Sequence, residues 1–80
     1  MSDKRTSIEA IVKHARYMIE TAEVLFNRPN RDAEMFECIA TILRSTDKLL
    51  IAHRTDISEE DLESLGGASY NLQAKLLGIE

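Results

Sequence analysis

The sequence predicts an all-α fold, an up-down-up bundle of three helices over 7–27, 31–53 and 59–77. Three observations predict it. Apolar residues recur at helical spacing in three long stretches, two short polar turns separate the stretches, and the third stretch opens on a strong helix-start signature. No stretch alternates apolar and polar residues as a strand would. Eighty residues make one domain, 1–80, with residues 1–5 expected to be flexible.

The first helix is expected to start near Thr6, where Thr6 and Glu9 have the spacing of a capping box. Its apolar positions are Ile8, Ile11, Val12, Ala15, Met18, Ile19, Ala22, Leu25 and Phe26. Three positions in every seven are apolar, a stripe wider than a coiled-coil seam and suited to a globular bundle. Glu9, Lys13, Arg16, Glu20 and Glu23 form the opposite, wet face. Asn27-Arg28-Pro29-Asn30 ends the helix, because proline cannot continue it and disfavours helical angles at Arg28. Asn30 or Asp32 is placed to cap the second helix.

That helix carries Met35, Phe36, Ile39, Ile42, Leu43, Thr46, Leu49 and Leu50 in one stripe, with His53 next in phase. Cys38 and Ile51 fall on its flanks. After Arg54-Thr55-Asp56, Ser58 is an N-cap with Asp61 three residues on, and Ile57 and Leu62 hold the two positions of a hydrophobic staple. Glu59, Glu60 and Asp61 complement the positive end of the helix dipole. Leu62, Leu65, Ser69, Leu72, Leu76 and Ile79 then keep one phase. Gly66-Gly67 interrupts the composition, at about 1 kcal/mol per glycine relative to alanine. The phase is the same on both sides of the pair, which predicts one helix with a kink or a break as the alternative. Gly78 is the expected stop. Short turns make neighbouring helices antiparallel, and each helix is roughly 30 Å long.

Composition narrows the function. A formal charge of −4 disfavours direct binding of nucleic acid, which needs clustered Lys and Arg, and disfavours an anionic membrane surface. No apolar run approaches the roughly 18 residues of a membrane span. The single cysteine, Cys38, excludes an internal disulfide and fits a reducing compartment. With no apolar leader at Met1–Thr6, a cytoplasmic location is the expectation.

A metal site would need His14, His53, Cys38 and carboxylates to converge. Pairing residue i with about residue 57 − i across the first turn sets His14 level with Leu43, Cys38 with Ile19 and His53 with the chain start, too far apart for a zinc or di-iron set. The same levels separate Cys38 from any histidine base, and Glu34 and Glu37 beside it oppose a reactive thiolate. Lys13 and Arg16 near His14 resemble a phosphotransfer setting, but the chain is too short for the four-helix bundles that do this chemistry. Thr46 and His53 on the inner face are either ligand contacts or groups satisfied by backbone carbonyls. No glycine-rich phosphate loop is present. No cofactor is expected, and an enzyme is the least supported class, because no acid, base or nucleophile has a partner.

What remains is surplus apolar surface on a small chain. Tyr17, Ile51 and Tyr70 lie outside their stripes, and Gly66, Gly67, Ala68 and Ser69 make a narrow docking floor. The expected function is a non-enzymatic module that binds and modulates another protein, as a homodimer, through Tyr17, Ile51, Gly66, Gly67 and Tyr70. The alternative is a small-anion or nucleotide site at a subunit interface, using Arg28, Arg31, Arg44 and Lys48.

Overall fold

A computed structural model describes residues 4–29 and 32–78, the first three of these by backbone alone. Three helices follow one another, α1 (Lys4–Phe26), α2 (Ala33–Ala52) and α3 (Glu59–Leu77), and each packs against the other two. This is the predicted all-α three-helix bundle. No described helix is long and apolar enough to cross a membrane.

The helix ends follow local chemistry, with two corrections. α1 is already helical at Lys4, so Thr6 lies inside the helix rather than capping it, and residues 4 and 5 belong to the helix. Residues 1–3 lie outside the described residues. α2 starts at Ala33 rather than Arg31, because Asp32 is the cap. Its extended backbone lets a carboxylate oxygen accept from the Met35 N–H at 2.9 Å. Asn30 and Arg31 lie outside the described residues. The longer link changes the register. Ala15 shares a core cluster with Leu50, and Ala22 shares one with Ile39 and Leu43. That is at least one helical turn further along α2 than the pairing expected from the sequence.

At the second turn, His53 closes α2, its N–H donating to the Leu49 carbonyl at 3.2 Å. The His53 carbonyl in turn accepts from the N–H groups of Asp56 and Ile57, at 2.9 and 3.1 Å. The chain thus folds tightly around one oxygen. α3 then opens as predicted. Ser58 Oγ accepts from the Asp61 N–H at 3.2 Å, Ile57 is buried, and Leu62 packs on the same cluster. α3 runs unbroken through Gly66 and Gly67 and stops at Gly78, whose φ of 75° is the left-handed conformation that glycine adopts without penalty.

The core has two layers. One gathers Ala15, Ile19, Leu50, Ile57 and Leu65 near the second turn; the other gathers Ala22, Ile39, Leu43 and Leu72 toward the first. Small alanines on α1 face branched residues on α2, which lets the two helices approach closely. The Cα frame measures 45 × 24 × 16 Å, a flat slab.

Candidate interaction surface

Helical phase decides which side chains share the outer face of α2 and α3. On α2, Ala40, Arg44, Asp47 and Ile51 are spaced 4, 3, 4 and form one stripe beside the core stripe. On α3, Gly66, Tyr70, Gln73 and Leu77 do the same. The two stripes meet along the α2/α3 seam in antiparallel order. Ala40 and Arg44 line one hollow with Gln73 and Leu77, and Ile51 and Arg54 line a second with Leu62 and Gly66. The second is an open trough of about 290 Å³ floored by Leu50 and Leu62.

A polar bridge separates the two hollows. Ser69 Oγ donates to Asp47 Oδ1 at 3.0 Å, and Gln73 Nε2 donates to Asp47 Oδ2 at 2.8 Å. Gln73 Nε2 also lies 3.0 Å from Ser69 Oγ, which accepts from it. Ser69 is fully buried, so its hydroxyl depends on these partners. The sequence reading missed this bridge. Ser69 stood in the apolar phase of α3, and Asp47 was passed over between Arg44 and Lys48. The signal was present: a buried-phase serine with glutamine four residues on, opposite an acid at the edge of the α2 stripe.

Large apolar side chains stand out along this face among Arg44, Lys48 and Arg54. Ile51 is 68% exposed, Tyr70 69% and Leu77 73%. The structure therefore gathers Ile51, Gly66 and Tyr70, three of the five expected interface residues, onto one face and adds Leu77. Gly67 falls beside Gly66 on the outer ridge of α3. Tyr17 does not join them. It stands on the outer ridge of α1, one heptad from Val24, and both are well exposed.

The glycine pair admits no neighbour from its own chain. A Cβ at Gly66 or Gly67 would meet nothing within 4 Å. Close approach of another helix of the same chain is thus excluded as the reason for either glycine.

The remaining candidates disperse. Arg28 sits in the first turn, while Arg44 and Lys48 lie about 17 Å or more further along α2, at 1.5 Å per residue. Arg44 leans on Thr41, with Nη2 donating to Oγ1 at 3.4 Å. Arg31 lies outside the described residues. Thr46 Oγ1 donates to the Ile42 carbonyl at 2.8 Å, the backbone bond weighed against a ligand role. His14 and Cys38 are exposed on different helices, and among the described residues no group of three or more His, Cys, Asp or Glu side chains could hold a metal. A third hollow, of about 500 Å³ and lined by Ile8, Glu9, Val12, Lys13, Arg16 and Asp61, mixes both charges and converges on no point.

Compared with protein-family models, with curated proteins and with solved structures, the chain matches none.

Proposed function

We propose that this chain is a non-enzymatic interaction module that docks another polypeptide on the α2/α3 face and modulates it, self-associating through the same surface. One observation carries the reading: Ile51, Tyr70 and Leu77 stand out along a single face, with Ile51 on the wall of one hollow and Leu77 on the wall of the other. Isolated exposed apolar residues are ordinary; a cluster of large ones bordering a hollow marks a binding surface. The area agrees. The chain exposes 5911 Å², against about 4,900 Å² for a compact monomer of its mass. The surplus of about 1,000 Å² on one chain exceeds the roughly 800 Å² that each partner gives to a standard interface.

Photo-crosslinking in cells tests this. A benzophenone side chain at position 51 or 70 is expected to capture protein, and the same group at Glu20, on the polar face of α1, is expected to capture none. Equal capture at all three positions, or none at 51 and 70, sinks the reading.

A further inference from the structure

Resting on that reading, we infer that the occupant of the α2/α3 face is the same face of a second copy, related by a two-fold axis parallel to the helices. Such an axis lays α2 of each copy over α3 of the other at the same level. Shape and charge both select it.

Shape comes first. Ile51 and Gly66 line opposite walls of one trough. The rotation therefore sets the exposed Ile51 of each copy above the second copy's Gly66, where a missing side chain leaves open space. The contact forms twice, a protrusion entering a gap each time. At the far end the same operation lays Ala40 over Leu77, again small against large.

Charge follows the same division. The α2 side of the face carries the exposed cations Arg44, Lys48 and Arg54, and the α3 side opens with Glu59 and Glu63. Arg54 lies at the level of Leu62, next to Glu63. Laying α2 over α3 therefore sets Arg54 of each copy beside the second copy's Glu63 at the rim. The competing two-fold axis, perpendicular to the helices, lays α2 over α2 and α3 over α3, which takes Arg54 away from Glu63. Each α2–α3 pair across the interface also runs antiparallel, as in a four-helix bundle.

The size of the face sets the strength. Two helices about 28 Å long and about 10 Å apart present about 550 Å² per copy, about 1,100 Å² in all. That is near the lower bound of specific interfaces, where weak and reversible associations are found, and a dissociation constant on the order of micromolar is the expectation the mass series tests.

The experiment combines solution mass with disulfide trapping, using the full chain with Cys38→Ser as the parent. Light scattering from about 1 μM to about 1 mM is expected to show the mass rising from 9.1 kDa toward twice that value. Oxidising a mixture of Ile51→Cys and Gly66→Cys chains is expected to give the mixed disulfide in preference to either self-pair. Gly66→Leu is expected to keep its helical circular dichroism and melting transition while its dissociation constant rises at least tenfold. Glu63→Lys weakens the dimer several-fold, and adding Arg54→Glu restores it. A monomer across the whole series overturns the inference while leaving the docking of a different protein open to the photo-crosslinks at 51 and 70. Self-pairing of Tyr70→Cys in place of the mixed product overturns it in favour of the perpendicular axis, and a Gly66→Leu dimer as tight as the parent overturns it outright.

Discussion

Two buried hydroxyls in this protein have opposite dependence on their surroundings. Thr46 Oγ1 uses a carbonyl that its own helix already supplies. Thr46→Val keeps the shape and strands no partner, so unfolding in urea should show a change within about 1 kcal/mol. Ser69 is held by two side chains, one on another helix. Ser69→Ala takes a donor from Asp47 and an acceptor from Gln73 and should cost about 1–2 kcal/mol. The same urea titration run on Ser69→Ala, Gln73→Ala and the double variant should show coupling, the double costing less than the two singles together. Additive losses would mean that the three groups do not act as one unit. The Thr46 bond is one of the two readings the sequence offers; the Ser69 partner is not given by periodicity, which records whether a position faces inward but not which polar atom on another helix it meets.

At the scale of the element, α3 holds the sharpest contrast. Its start is over-determined by Ser58, the staple and three acids, and this was readable because every contact lies within a few residues. Ser58→Ala should cost about 1 kcal/mol. Ile57→Ala, which empties a buried position, should cost about 2–5 kcal/mol. Mid-helix the sign reverses. Gly66→Ala and Gly67→Ala add a methyl where nothing obstructs it, so each should stabilise the monomer by about 0.5–1 kcal/mol. Thermal melts at low concentration would check both signs; a loss on either alanine substitution would contradict the open geometry. The start of α1 was misread for a related reason. Thr6 and Glu9 have the right spacing, but a capping pattern competes with continued helix on its N-terminal side, and Lys4 and Arg5 are good helix formers.

For the whole molecule, thinness governs. The radius of gyration is 13.6 Å, where about 11.6 Å is usual for this length. Three mutually packed helices enclose only two small clusters, and much of each helix stays at the surface. Order and direction of the helices were readable, because three stripes joined by short turns leave few arrangements. The α1/α2 register was not, because it depends on how alanines and branched side chains nest, and on Asp32 capping where Asn30 could have done so. Stability of so slight a core should respond to association. The melting temperature should climb with concentration in the parent chain and stay flat in Gly66→Leu. A melting temperature independent of concentration in both would show that the isolated chain already has all the stability it possesses.

The bridge of Asp47, Ser69 and Gln73 has a consequence for how the chain avoids wrong structures. Leucine-rich stripes are nearly self-similar, and α3 could slide by one turn along α2 and still find apolar partners. Slid by four residues either way, the Asp47 carboxylate would face leucine in place of one of its two donors, Leu65 in one direction and Leu77 in the other. A carboxylate half-stripped of water and partners opposes such a state by more than the hydrophobic contacts distinguish it. Three polar side chains thus act as a vernier between two otherwise smooth helices, and the leucines around them are left free to exchange for other apolar residues without the chain losing its place.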